Sequence, residues 1–534
     1  MFRTRLISGI ILVILAVIVV STGGALLYGV TAVISLVGMF ELYRVMGIEK
    51  KSLGLVGYLA GISYYGLLWF DGQKYVTLMA IAALMLLMTI YVFTFPHYGT
   101  EQVTVSFFGI FYLAVMLSYL YQVREMADGR YLVWLIFLKM CIRDRWVSSY
   151  FRNNPWTILF LPVCGLLITG IYHILKEDKN RGTNMVIESI HSGTEITFGT
   201  APAVFLGTLL THISGGSSGR EGAALQLGGS IGNQIGKVIR LDEKDMKIAV
   251  MCGMSGAFAA LFGTPMAAAV FSMEVISIGV MYYAALVPCI FSSFIGAAIA
   301  KHMQLMPEAF AIGEVPAFDL KMAVIIIILG MLCALVAELF CITLRGTEHT
   351  FVRHLPSPAK RIFVGGLLVI ALTLMARTTA YNGSGIRLIE MCFEGEVDYA
   401  AFLWKIIFTA ITLEAGFKGG EIVPTLTIGA TFGCTFAMVT GQPHGLMAAC
   451  GMLALFVGVT NCPISTLLIG FELFGYSAMP YFVIVIAVSF TLSGYYSLYS
   501  SQKFVYSKTK TEFINRKTND FIPYQRKKIT SPEE

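Results

Sequence analysis

Long runs of apolar residues constrain the fold of this 534-residue chain more than any other feature. Such runs occur at Ile7–Val20, Leu26–Phe40, Tyr75–Phe95 and Met322–Val336. A helix of about 20 residues crosses the roughly 30 Å hydrocarbon core of a bilayer, and it satisfies its backbone hydrogen bonds internally. Because 56% of the residues are hydrophobic and only 13% are charged, we expect an all-α polytopic protein of the cell membrane.

The charge distribution and the cysteine pattern argue against nucleic-acid-binding and metal-binding proteins. The net charge of +6 is spread over many loops, and no basic face is interleaved with aromatic residues, so nucleic acid is not an expected partner. Arg3 and Arg5 precede the first apolar run and a basic tail occupies 509–534, so the positive-inside rule places both in the cytoplasm. The ten cysteines and eight histidines show no C-x-x-C pair and no metal-ligand spacing. We therefore predict neither a metal site nor a cofactor.

The segment Ser214–Gly236 contains the first residues that could carry chemistry. Eight of its 23 residues are glycine, and Arg220-Glu221 is followed by AALQL, which predicts that a helix begins near Glu221. A helix N-terminus attracts anions, because its N–H groups are unpaired and its dipole end is positive. A glutamate there could simply stabilise the helix dipole, or it could occupy an anion site and leave it on protonation. A phosphate-binding loop is a weaker alternative, because no strand precedes it and the Lys-Ser/Thr ending is missing.

An internal repeat spans the second part of the chain. MCGMSGAFAALFGTPMAAAVFSMEV at 251–275 aligns without a gap with ACGMLALFVGVTNCPISTLLIGFEL at 449–473. Glu421 in GGEIVP follows Glu221 in GREGA by about 200 residues. Paired apolar segments interrupted by Gly and Pro in corresponding positions indicate a transport site near the membrane midplane. The alignment alone leaves open whether the halves are parallel or inverted.

Three motifs resemble the CLC family of chloride channels and transporters: GREGA at 219–223, the segment around Pro265 and GGEIVP at 419–424. Within that family the pattern is similar to the fluoride/proton antiporter branch, which carries a glutamate where chloride members read G-I-F-A-P. The first selectivity segment, Gly182–Met185, also departs from the chloride motif G-S-G-I-P. The resemblance implies inverted halves, a homodimer and export of fluoride against incoming protons. A chloride channel or chloride/proton antiporter of the same family is the alternative.

The resemblance also implies roles for individual residues. Glu221 resembles the outer gate, which alternates between occupying the anion site and carrying a proton. Glu421 would handle protons and select the anion, and Tyr499 matches the central tyrosine whose hydroxyl donates to the anion. The other implied anion-binding residues are Thr183, Asn184, Met185, Gly219, Arg220, Gly222, Ile422 and Val423.

Other residues near these motifs are interpreted as structural. Val275 stands where chloride/proton antiporters carry an inner proton glutamate, which argues against that proton route. Glu274 and Glu472 each follow a proline at the same spacing in their own half, and we expect both to be satisfied at helix ends. The segment GSGIR at 383–387 is similar to the chloride selectivity motif but lies in the second half, so we predict no anion-binding role for it.

Residues 1–139 form a separate block of predicted transmembrane helices. MFRTRLISGI and ISLVGMFELYRVMGIEK resemble the N-terminal part of bacterial phosphatidate cytidylyltransferases, but the acidic catalytic residues of that family are missing, so we expect no transferase activity. Residues 140–145 resemble a translated adapter from sequencing-library preparation. We predict an artefactual junction between unrelated genes there, with an inverted-repeat transport domain over 146–508 whose halves cover about 157–300 and 320–508.

Overall fold

The chain forms two compact units, 1–139 and 140–534, each with its own core. The computed structural model describes residues 19, 22–70, 72–95, 98–115, 117–118, 121–122, 151, 154–178, 180, 182–193, 196–197, 199–302, 310–313, 315–510 and 512–519. The predicted junction at 140–145 and most of the first apolar run lie outside the described residues. Within the described residues, eight helices are long and apolar enough to cross a membrane. The chain is a multi-pass membrane protein.

The first unit is a helical bundle in its described part. Its α-helices are α1 Gly24–Val45, α2 Ser52–Trp69, α3 Val76–Thr94 and α4 Thr100–Gly109, with a 3-10 helix at Gln73–Tyr75 and a π-helix at Ile110–Val115. Tyr43 is fully buried, and its hydroxyl donates to the carbonyl oxygen of Ser106 at 2.7 Å. Among the described residues, no three His, Cys, Asp or Glu side chains come together as metal ligands would.

The second unit contains all the residues that the motifs single out. After a 3-10 helix at Pro155–Phe160, its first helices are α5 Leu161–Ile174, α6 Thr183–Ser192, α7 Thr200–Ile213, α8 Glu221–Ile239, α9 Glu243–Phe262, α10 Pro265–Glu274 and, after a 3-10 turn at Tyr283–Ala285, α11 Leu286–His302. A long helix, α12 Leu320–His354, leads to α13 Pro358–Ala376, α14 Ile386–Glu394, α15 Ala401–Glu414, α16 Ile422–Thr440, α17 His444–Thr460, α18 Pro463–Phe474 and α19 Met479–Leu492.

The two halves of this unit are inverted repeats, in which α5 to α11 recur as α13 to α19. α10 and α18 pack side by side, and the glutamate at the end of each caps the start of the other. Glu274 accepts from the N–H groups of Ile464 (3.1 Å) and Ser465 (2.8 Å). Glu472 accepts from those of Met266 (3.0 Å) and Ala267 (2.9 Å). This exchange requires antiparallel helices. It also confirms the prediction that both glutamates are satisfied at helix ends.

Small residues allow the central helices to pack closely in both halves. A side chain on Gly253 of α9 would meet the carbonyl oxygen of Gly228 in α8, and one on Gly451 of α17 would meet that of Gly429 in α16. Such close approach is the usual basis of helix packing in membranes, where burial of apolar surface gives little driving force. The repeat therefore preserves the glycines that allow contact between helices, in addition to its motifs.

The second unit also contains a small β-sheet, which the all-α prediction did not include. β1 Ser277–Ile278 pairs in parallel with β2 Lys503–Tyr506, which pairs antiparallel with β3 Phe513–Lys517. β3 lies within the predicted tail at 509–534, and beyond it the Thr518 hydroxyl donates to the carbonyl oxygen of Tyr499 at 2.7 Å. Strands this short and charged carry little hydrophobic alternation, so the sequence pattern did not predict them.

Candidate functional site

The loops that precede α8 and α16 meet at the centre of the second unit. The backbone N–H of Gly219 donates to the carbonyl oxygen of Gly420, and the N–H of Gly420 donates to that of Gly219, both at 2.7 Å. A methyl group on Gly222 would lie 2.9 Å from Cα of Gly420, and one on Gly420 would meet the backbone nitrogen of Gly222. Glycine at these positions thus allows the N-termini of two helices, one from each half, to meet at one point.

Glu221 places its carboxylate at the N-terminus of the other half's helix. The side chain is fully buried. Its Oε2 accepts from the N–H of Arg220 at 2.9 Å and from the N–H of Val423 in α16 at 3.4 Å. The guanidinium Nε of Arg220 lies 3.6 Å from Oε1. The carboxylate therefore occupies a position where a helix N-terminus, a second backbone N–H and a guanidinium would all attract a free anion.

Four buried polar atoms around this point have no hydrogen-bond partner among the described residues: Thr183 Oγ1, Ser218 Oγ, Glu421 Oε2 and Tyr499 OH. A methyl group on Gly222 would lie 3.1 Å from Thr183 Oγ1 and 3.4 Å from Glu421 Oε2, so both atoms face the same glycine. Tyr499 belongs to the main apolar core of this unit, which also contains Ile422 and Val423. Unsatisfied buried polar groups cost about 1–3 kcal/mol each, and native proteins keep few of them. This cluster is therefore suited to a bound ion or water.

The three candidates from the first selectivity segment point in different directions. Thr183, the first residue of α6, is buried and faces Gly222. Asn184 Oδ1 accepts from the N–H of Ser501 at 3.1 Å, which joins α6 to the loop that carries Tyr499. Met185 is partly buried and packs on the main apolar core. Of the three, only the Thr183 side chain comes beside Gly222 and Glu421.

A cavity of about 530 Å³ leads to Glu421. Asn184 and the Ser497–Ser500 loop contribute to its lining, and so does Gln226 of α8. It also has charged residues that the motif analysis did not identify: Arg345, Glu348, Arg361, Glu414 and Lys418. A signal was available for Glu414, which ends the apolar helix α15, because a charged residue in an apolar membrane segment suggests function on its own. The cavity therefore has room for water or ions beside Glu421.

The residues near the motifs that were predicted to be structural also have defined positions in the fold. Val275 follows the last residue of α10 and is fully buried in the apolar core. Gly385 of the GSGIR segment is the N-cap of α14, and the ammonium group of Lys405 donates to the carbonyl oxygen of Gly383 at 2.8 Å. Lys405 was missed in the motif analysis, although it lies in the apolar run AFLWKIIF.

Comparisons with known proteins match the second unit. Residues 164–494 match the family described as voltage gated chloride channel. The chain is 34% identical over 370 residues to a chloride/fluoride channel protein of Pseudomonas syringae pv. tomato, covering 68% of this chain and 81% of that protein. The crystal structure of a CLC-type fluoride/proton antiporter gives a TM-score of 0.66 at 31% identity, covering 68% of this chain and 92% of that one. A slow cyanobacterial Cl⁻/H⁺ antiporter, at 18% identity and a TM-score of 0.56 over 66% of this chain and 92% of that one, shares the fold.

Proposed function

Because the chain belongs to the voltage-gated chloride channel family, we propose that it exports fluoride across the bacterial cytoplasmic membrane in exchange for protons. Members of this family are transporters and not enzymes. The observation that carries the proposal is the Glu221 carboxylate, which accepts from the N–H of Val423 in the helix of the other half. One relative is named a chloride/fluoride channel protein, and one similar structure is a fluoride/proton antiporter.

Protonation of Glu221 is the switch in this proposal. When Glu221 is ionised, its Oε2 accepts hydrogen bonds from two backbone N–H groups, those of Arg220 and Val423. Protonation removes the negative charge that the helix N-terminus and the Arg220 guanidinium favour. An anion then replaces the carboxyl group at the N–H groups of Ile422 and Val423 and at the loop Gly219–Gly222. Binding of an anion and departure of the protonated glutamate are thereby coupled to the movement of a proton.

The unpartnered polar atoms support fluoride as the anion. Fluoride is small and holds its water tightly, so a site for it must supply strong hydrogen-bond donors in place of that water. The hydroxyls of Thr183 and Tyr499 are buried and without partners among the described residues, and both can donate. We assign Glu421 to proton transfer, because its Oε2 is buried beside Gly222 while its side chain lines the cavity. Asn184 holds the Tyr499 loop in place through its hydrogen bond with Ser501, and Met185 packs against the apolar core.

Proteoliposomes loaded with fluoride or chloride test the proposal. Fluoride release measured with an ion-selective electrode should be accompanied by proton uptake, and chloride release should be much slower. Glu221→Gln should abolish proton uptake, because the amide cannot carry the proton. Chloride release as fast as fluoride release would instead support the alternative, a chloride channel or chloride/proton antiporter, and a Glu221→Gln variant that still moved protons would contradict the gate.

Two further proposals concern assembly and the first unit. The resemblance supports a homodimer, and the apolar side chains of Phe291 and Ile295 on α11 and Ile464 on α18 are exposed in the single chain, as a subunit interface or lipid contact requires. Light scattering of the purified protein tests this. For residues 1–139 we propose a transferase fragment without activity, so an assay for cytidine-diphosphate lipid formation should detect no product.

A further inference from the structure

Lys405 is fully buried in the second unit, and its ammonium group forms hydrogen bonds with three neutral oxygens of the described residues. Its Nζ donates to Ser217 Oγ at 3.0 Å, to the carbonyl oxygen of Tyr381 at 3.1 Å and to that of Gly383 at 2.8 Å. No ion pair joins Lys405 to a carboxylate of the residues that the structure describes. A buried charge without a counter-charge is strongly disfavoured, the more so at membrane depth.

The position of this lysine makes the cost larger. Gly383 lies just before α14, whose N-cap is Gly385, and the positive end of a helix repels a cation. Ser217, on the other side, is four residues before Glu221 in the loop that carries the gate. Lys405 thus lies at the unfavourable end of the α14 dipole, yet beside the loop that carries Glu221. This position indicates a role in the anion pathway. A neutral side chain could also donate hydrogen bonds to these two carbonyl groups, so the bonds alone do not require a charged residue.

The inverted repeat shows that the two halves differ at this point. Lys405 is the fifth residue of the 14-residue helix α15, and the fifth residue of the equivalent 14-residue helix α7 is Val204. Val204 lines the 530 Å³ cavity together with Gly182, which precedes α6. In the second half, the long side chain of Lys405 packs against Gly385, the N-cap of α14, where an added methyl group would lie 3.0 Å from Lys405 Cε. One half thus has an open cavity at this position and the other has a fixed cation.

We propose that Lys405 is the fixed cation of the anion pathway and that its charge, acting beside the Glu221 loop, sets the affinity for the transported anion. The inference rests on the proposed function and adds the residue that determines how tightly fluoride is held. The counter-charge of the ammonium group is then the passing fluoride or the ionised Glu221. Lys405 acts through its electric field and through Ser217, and it is a positioning residue in this scheme, not a ligand of the anion.

Fluoride transport into proteoliposomes, measured as initial rate against fluoride concentration, tests the charge of Lys405. Lys405→Gln, which keeps a hydrogen-bond donor but no charge, should raise the KM for fluoride at least fivefold, with the maximal rate within twofold of that of the original chain. Lys405→Arg, which keeps the charge, should restore most of the affinity. A purely structural role would instead lower the yield of folded protein and the maximal rate without a selective change in KM.

A second pair of variants leaves the lysine in place. Ser217→Asp puts a carboxylate next to the ammonium group and neutralises its field, so the KM should rise as in Lys405→Gln. Ser217→Asn, the matched neutral control, should keep the original KM. If the original chain transports fluoride but the KM is unchanged in Ser217→Asp and in any Lys405→Gln protein that folds, the inference is overturned and the proposed function stands. If the original chain transports no fluoride, both fail.

Discussion

A substitution at Glu274 distinguishes a structural role of this glutamate from a role in proton transport. Glu274 lies next to Val275, the position of a proton carrier in chloride antiporters. Its carboxylate accepts from Ile464 N, Ser465 N and the Ser465 hydroxyl, and it is 8% exposed. Hydrogen bonds to a charged group contribute about 1.5–3 kcal/mol each. Glu274→Gln keeps one acceptor oxygen, which can still accept some of these hydrogen bonds. We therefore expect the free energy of unfolding to fall by about 2–4 kcal/mol.

Glu472 and Glu243 provide the comparisons for that measurement. Glu472 accepts only two backbone hydrogen bonds and is partly exposed, so Glu472→Gln should cost about 1–2 kcal/mol. Glu243 forms an exposed ion pair with Lys247, and Glu243→Gln should cost less than about 1 kcal/mol. Denaturant unfolding in detergent gives the three values, and proteoliposome assays give the coupling of protons to fluoride.

The two readouts separate the possible roles of Glu274. A structural glutamate predicts lower stability with unchanged coupling in the protein that remains folded. A Glu274→Gln variant with unchanged stability and lost proton uptake would refute the reasoning, and it would place a proton route along α10 after all.

Four further predictions concern the site and the junction. Glu421→Gln should leave fluoride movement but uncouple it from protons, which parallel electrode and pH-dye traces would reveal. Thr183→Val replaces the hydroxyl with a methyl group of similar size and should raise the KM for fluoride about tenfold, the value of one hydrogen bond of about 1.4 kcal/mol. Gly420→Ala should abolish folded protein in size-exclusion chromatography, because its Cβ would meet Gly222 N. Amplification of the source DNA across codons 130–160 should fail, and a chain lacking residues 1–145 should still transport fluoride.

The repeat and its glycine and proline positions predicted two matching halves in the second unit, whereas the inverted arrangement of these halves came from the family resemblance. Proline begins α10 and α18, and the loops before α8 and α16 are rich in glycine, so helix starts could be read directly from these residues. The matching glutamates at 274 and 472 were predicted to be satisfied at helix ends, but their partners were not. Each is capped by the opposite half, and contacts between segments about 200 residues apart leave no local pattern.

The candidate site was only partly predictable for a similar reason. Motif spacing identifies Glu221 and Glu421, but the hydrogen bond from Val423 to Glu221 depends on how the two halves dock. Thr183, Asn184 and Met185 are consecutive, and only the start of α6 decides which of them faces Gly222. Lys405 could have been noted from its charge alone, whereas its neighbours Ser217 and Gly383 lie about 190 and 20 residues away in the sequence.

Inversion of the repeat explains how this fold produces an anion site at all. In a parallel repeat, the N-termini of α8 and α16 would point the same way and would not face each other. Inversion brings both to the Gly219–Gly420 bridge, where two positive helix ends approach each other across glycines that have no side chain. Two such ends repel each other unless negative charge lies between them. Glu221 supplies that charge in the present structure. Under the proposed function, protonation removes this charge and a fluoride ion takes the place of the carboxylate, so the electrostatics of the inverted fold favour the exchange of carboxylate for fluoride.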